Sequence, residues 1–128
     1  MRQAYNVEGA VSVGPYSQAV KAGELVYLSG QTPIDPKTGK LVEKDIGRQT
    51  EQCFKNLFTV LAHMGLCESD VVKVNVFLID MDNFAAMNAV YADQFLAPYP
   101  ARTTIGVAAL PLGAQVEIEL IALVPKNT

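Results

Sequence analysis

Arg102 is the only Lys or Arg between Lys73 and Lys126, and its setting is apolar: Pro100-Ala101 precede it and Thr103-Thr104-Ile105-Gly106-Val107 follow. A lone guanidinium in such a neighbourhood is costly unless it is paired or hydrogen-bonded. It can be satisfied by an internal salt bridge to Glu117 or Glu119. Alternatively, its planar fork can grip a small carboxylate through two parallel hydrogen bonds. The residue types leave both readings open. A second polar residue out of place is Asn88, which falls within the stripe Phe84, Met87, Tyr91, Phe95 of a predicted helix. A buried amide needs partners, either inside the core or in a direct role at a site.

Strand alternation decides which of these groups can meet. Val116, Ile118, Leu120, Ala122 and Val124 point one way, while Gln115, Glu117, Glu119, Ile121 and Leu123 point the other. In the preceding strand, Arg102, Thr104, Gly106 and Ala108 oppose Ala101, Thr103, Ile105 and Val107. A hairpin folded about its Pro-Leu turn would set Gly106 opposite Glu117 and Thr104 opposite Glu119. Arg102, Thr104, Glu117 and Glu119 would then share the sheet face away from the helices. A slip of one residue would undo this.

The remaining elements follow from periodicity and punctuation. Residues 5–14 read as a short strand or irregular arm, followed by a Gly14-Pro15 turn. Ser17–Val20 and Leu25–Ser29 are strand candidates split by Ala22-Gly23. Asp35-Pro36-Lys37-Thr38-Gly39-Lys40 has the chemistry of a turn rather than of a phosphate-cradling loop. From Asp45 to Met64, Ile46, Thr50, Cys53, Leu57, Val60, Leu61 and Met64 recur at helical steps, and Gly65 is the stop. Lys44, Arg48, Glu51 and Lys55 fall on the solvated side, and His63 suits the negative end of the helix dipole. Val71–Ile79 is a strand whose Val72, Val74, Val76 and Leu78 form one apolar face. Asp80 or Asp82 caps a second helix running to about Phe95. The expected architecture is a mostly antiparallel sheet with two helices on one face, an α+β two-layer sandwich. The open face carries Ile121, Leu123 and Ala108, more apolar surface than a small monomer leaves wet, so an oligomer is expected.

Composition narrows the function classes. The 128 residues suit one domain. Ten Lys and Arg against thirteen Asp and Glu give a formal charge of −3, and no basic tract follows a phosphate backbone, so dedicated nucleic-acid binding is disfavoured. No run approaches about 18 apolar residues, which excludes a membrane-spanning helix. The first ten residues do not read as a signal peptide. Cys53 and Cys67 lie roughly 20 Å apart along or just past one helix, beyond disulfide reach, so two reduced thiols in a cytoplasmic protein are expected. One His and two distant Cys give a structural zinc site almost nothing to use.

Four segments together carry a family resemblance over essentially the whole chain. They are Gly14-Pro15-Tyr16-Ser17-Gln18; Leu28-Ser29-Gly30-Gln31; Asn88 within Phe84–Tyr91; and Pro100-Ala101-Arg102-Thr103-Thr104-Ile105-Gly106-Val107 with Glu117-Ile118-Glu119 behind it. The sequence resembles the RidA/YjgF family of reactive-intermediate deaminases. The resemblance implies a chorismate-mutase-like fold with a six-stranded sheet, assembled as a homotrimer with a ligand cleft at each subunit boundary. It implies cofactor-free hydrolysis of 2-imino acids, such as 2-iminopropanoate and 2-iminobutanoate, to 2-keto acids and ammonia. Those imines come from enamines released by pyridoxal-phosphate dehydratases. Carried onto this chain, Arg102 binds the substrate carboxylate and Glu117 positions the attacking water, while Tyr16, Ser29 and Asn88 shape the cleft. Thr104 stands where many members carry a cysteine, which removes a thiol switch but not hydrolysis. Alternation puts Glu117 and Glu119 on one face, and only the resemblance favours Glu117. Two other classes compete: RNA cleavage with translation inhibition, and a non-catalytic keto-acid sensor or stress holdase.

Overall fold

The computed structural model describes residues 2–8 and 14–126, so part of the arm expected over residues 5–14 lies outside the described residues. Its elements in chain order are β1 (Gln3–Tyr5), β2 (Ala19–Ala22), β3 (Leu25–Gln31), β4 (Ile34–Asp35), β5 (Lys40–Leu41), α1 (Ile46–His63), β6 (Val71–Leu78), α2 (Phe84–Gln94), β7 (Ala101–Gly106) and β8 (Val116–Leu123).

α1 forms where the stripe and its caps predict it. The Asp45 carboxylate accepts from the Arg48 N–H at 2.9 Å, satisfying one of the helix's orphan donors. Gly65, at φ 75°, takes the left-handed conformation that ends the helix. Thr50, Cys53, Leu57, Val60 and Leu61 are buried, as the stripe requires. Two polar residues are buried beside them. Gln49 Oε1 accepts from the Gln115 N–H at 2.9 Å, and Asn56 Nδ2 donates to the Ile34 carbonyl at 2.9 Å. These bonds fasten α1 to the start of β8 and to β4.

Six strands form one sheet in the order β1-β2-β3-β8-β6-β7, while β4 and β5 make a separate hairpin about the Asp35–Lys40 turn. The core lies between this sheet and α1, with Phe54, Leu57 and Leu61 against Val26, Val74, Ile118 and Leu120. Fully burying each such side chain is worth about 1.5–3 kcal/mol. Phe54 also meets Phe58, Tyr91 and Phe95 at ring-centroid distances of 5.6 Å each, clasping α2 to α1. Cys53 is buried, Cys67 is exposed and both are free thiols.

Two sequence expectations are corrected. At the start of β6, an irregularity between Val71 and Lys73 turns Val71 inward and leaves Val72 41% exposed, so Val72 is not on the apolar face. More consequentially, β7 and β8 are not a hairpin. β7 runs parallel to β6, reached through α2 as a strand–helix–strand crossover, and β8 lies on the other side of β6. Arg102 pairs with Val74 and Thr104 with Val76, whereas Glu119 pairs with Asn75 and Glu117 with Phe77. Residues directly opposite in a ladder point to the same face. Val74 and Val76 are buried under the helices. Arg102 and Thr104 therefore belong to the helix face, and Glu117 and Glu119 to the open face.

Candidate active site

Arg102 stands on β7, an edge strand, against one side of α2. Phe84, Asn88 and Tyr91 follow at helical spacing and face it together. Asn88 Oδ1 accepts from Arg102 Nη1 at 2.6 Å. The guanidinium carbon lies 4.6 Å from the Tyr91 ring centre and 5.5 Å from that of Phe84. Such cation–π contacts contribute about 0.5–1 kcal/mol each where water has access. Asn88 is exposed, so it is not a core amide; it holds the arginine.

The internal salt bridge does not form. Among the described residues the ion pairs are Arg48–Glu43 at 3.0 Å and Lys55–Glu51 at 3.5 Å, and Arg102 is in neither. Guanidinium carries five N–H donors, so a carboxylate can still be gripped in two-pronged fashion after Asn88 takes its share. Space for one exists: a cleft of about 460 Å³ is lined by Asn88, Tyr91, Ala92, Tyr99, Pro100 and Arg102. Thr104 is on the same face of the strand, and its hydroxyl is buried without a hydrogen-bond partner among the described residues.

The other predicted site residues lie on the opposite side of the sheet. Tyr16, Ser29, Gly30, Leu112, Glu117 and Glu119 are among the residues lining another cleft of about 460 Å³. Ser29 Oγ donates to the Ser17 carbonyl at 2.6 Å and its N–H to the Gln18 carbonyl at 2.9 Å, docking the loop that carries Tyr16 onto β3. Burial pushes the Glu117 carboxyl above its ordinary pKa, and the charge of Glu119 adds to the shift. The two glutamates differ in tether. Glu119 Oε2 accepts from Asn75 Nδ2 at 3.0 Å, while no hydrogen bond reaches the Glu117 carboxylate from the described residues. A methyl group at Gly30 would come within 2.8 Å of Glu117 Oε2, so the glycine makes room for that carboxylate.

The structure thus brings Tyr16, Ser29 and Glu117 to one cleft and Asn88 and Arg102 to another. It does not bring the two sets together within one chain. Sequence reasoning missed Tyr91 as the platform under Arg102, although Tyr91 lies three residues after Asn88 on the same helical side. It also missed Gly30 and Leu112, for which only a close approach or a backbone angle gives a signal. A roomier cleft of about 620 Å³ between the β4–β5 turn and α1 holds none of these groups. Among the described residues no cluster of three or more His, Cys, Asp or Glu could hold a metal ion, and no helix is long and apolar enough to cross a membrane.

An α+β two-layer domain with an arginine beside one cleft and a half-buried glutamate in another, on the opposite face of the sheet, is the class that fold and clefts define. A family model described as Endoribonuclease L-PSP matches residues 8–124, and the chain belongs to this family, which includes the Rid/YjgF proteins. It is 50% identical over 111 residues to a protein of Arabidopsis thaliana named Reactive Intermediate Deaminase A, chloroplastic, covering 87% of this chain and 59% of that one. It is 46% identical over 112 residues to a 2-iminobutanoate/2-iminopropanoate deaminase of Dermatophagoides farinae, covering 88% of each. Among solved structures, a Rid-family protein of unknown function from Yersinia pestis superposes with a TM-score of 0.92 at 44% identity, covering 97% of this chain and 100% of that one.

Proposed function

We propose that this chain hydrolyses 2-imino acids to 2-keto acids and ammonia, without a cofactor, in a homotrimer whose sites lie between subunits. The observation that carries the reading is Arg102: held by Asn88 and two rings, beside an open cleft, with no carboxylate partner among the described residues. Such a group is built to receive a small acid.

The chemistry asks little of the protein beyond placement. The imine nitrogen, protonated to an iminium, makes its carbon electrophilic. Water adds to that carbon, giving up a proton to Glu117, whose half-buried setting raises its affinity for that proton. Glu117 returns the proton to nitrogen and then takes the hydroxyl proton as the C–N bond breaks, so that ammonia departs and a keto acid remains. Tyr16 and Ser29 wall the cleft, and Thr104 stands beside the arginine on its strand.

Arg102 and Glu117 face opposite ways, so one small acid cannot touch both in a single protomer. A second copy would supply the missing half. Exposed Tyr27 (45%), Ile105 (45%) and Leu123 (41%) give a driving force for that association. The free thiols of Cys53 and Cys67 suit the reducing cytoplasm as its compartment.

The test adds purified protein to a threonine dehydratase reaction in which semicarbazide competes for the imine. Faster 2-ketobutyrate formation is expected, lost in Arg102→Ala and nearly lost in Arg102→Lys, whose ammonium lacks the fork. No acceleration by the wild type would overturn the reading, and keto-acid binding without turnover would then favour a sensor. The description of the family model favours a second reading, endoribonuclease activity. The formal charge of −3 opposes it, and RNA cleavage that survives Arg102→Ala would mark a contaminant.

A further inference from the structure

We propose that Leu112 is a specificity-determining residue: an apolar lip on the Glu117 cleft that favours imino acids with aliphatic side chains longer than methyl. The proposal deepens the deaminase reading above and rests on it.

Neither backbone nor packing accounts for a leucine at this position. Leu112 has φ 62° and ψ 11°, the left-handed region that favours glycine or asparagine and disfavours branched side chains. The residue after it, Gly113, adopts φ 76°. Leucines kept in unfavourable backbone conformations are ordinarily held there by burial, but Leu112 is 66% exposed and takes no part in the hydrophobic core. A sequence shaped by folding of the protomer alone would carry glycine or asparagine here. Strain retained without packing compensation points to function.

The cleft supplies that function. Tyr16, Ser29 and Glu117 make its polar side, and Ile34, Pro111 and Leu112 its apolar side. The carbon attacked by water is trigonal and has three arms in one plane: the carboxylate, the nitrogen and the side chain. Arg102 takes the first, and Glu117 exchanges protons with the second. The third is left facing an apolar wall, and Leu112 is the exposed, adjustable part of that wall. Each substrate methylene buried there is worth about fourfold in kcat/KM.

The experiment compares kcat/KM for imines generated in situ by an amino-acid oxidase from alanine and from leucine. Leu112→Gly and Leu112→Asn both accept the left-handed conformation, so both should fold with an unchanged or raised Tm. The leucine-to-alanine ratio of kcat/KM should fall about five- to twentyfold in each. An unchanged ratio in active variants overturns the lip while leaving the deaminase reading intact. Absence of any wild-type turnover overturns the deaminase reading and the lip with it. A change in assembly mass by light scattering in either variant would assign Leu112 to subunit contact and likewise overturn the proposal.

Discussion

Arg102 and Glu117 lie on neighbouring regions of one sheet but on its opposite faces. Arg102 is paired with Val74 on the buried side of β6, and Glu117 with Phe77 on the open side. The separation follows from topology. β7 joins the sheet in parallel after a helical crossover, and β8 enters on the far side of β6. The two groups to which imine hydrolysis is assigned in the proposed function are thus presented in opposite directions, so that reading requires an assembly.

That geometry predicts complementation. Arg102→Ala and Glu117→Ala proteins should each be inactive or nearly so when pure. In mixed trimers, a site between an intact arginine and an intact glutamate reappears once per ring, giving about a third of wild-type activity. Co-expression with two affinity tags isolates the mixed species. Activity no higher than that of the parents would refute the shared arrangement.

Asn88 offers a second test. Its carbonyl oxygen, 2.6 Å from Arg102 Nη1, orients the fork without neutralising it. Asn88→Ala should raise KM several-fold with a smaller effect on kcat, because the tilt of the guanidinium is loosened. Asn88→Asp should be worse. A fixed carboxylate beside Arg102 competes with the substrate's own acid group, so KM should rise roughly tenfold or more. Steady-state kinetics at constant ionic strength separates these outcomes.

The pH behaviour follows from the raised pKa of Glu117, caused first by burial and then by Glu119. The folded state holds this proton more tightly than the unfolded chain. Its contribution to stability is therefore fully present at low pH and is lost as pH rises through the folded value. Glu117→Gln should match the wild-type Tm in acid and exceed it at neutral pH. Glu119→Gln removes the repulsion, so the acid limb of the kcat/KM profile should move to lower pH. Thermal melts and initial rates across a pH series check both signs.

Much of the fold is legible in the residues, and the exceptions are instructive. α1 is readable because an apolar stripe, the Asp45 cap and Gly65 agree with one another. Alternation in β8 is readable because Val116, Ile118, Leu120 and Ala122 are uniformly apolar. What failed was partnering: a Pro111-Leu112 turn between two adjacent strands imitates a hairpin, and nothing local distinguishes a hairpin from two strands split by a third. The strand–helix–strand order of β6, α2 and β7 was the available signal for a parallel pair, and it also fixes the face of Arg102. Asn88 was ambiguous for a related reason. Whether an amide on a helix edge is buried depends on which strand lies beneath that edge.

Gly30 carries a further consequence. A glycine inside a strand forgoes roughly 0.5–1 kcal/mol relative to alanine, and β3 accepts that loss beside an irregularity in its pairing with β8. Substitutions chosen to rigidify the fold would naturally target this position, yet the recovered stability would be taken from the space that Glu117 occupies. Any attempt to make this protein hardier has to leave that gap alone and find its gains elsewhere, on surfaces the reaction never visits.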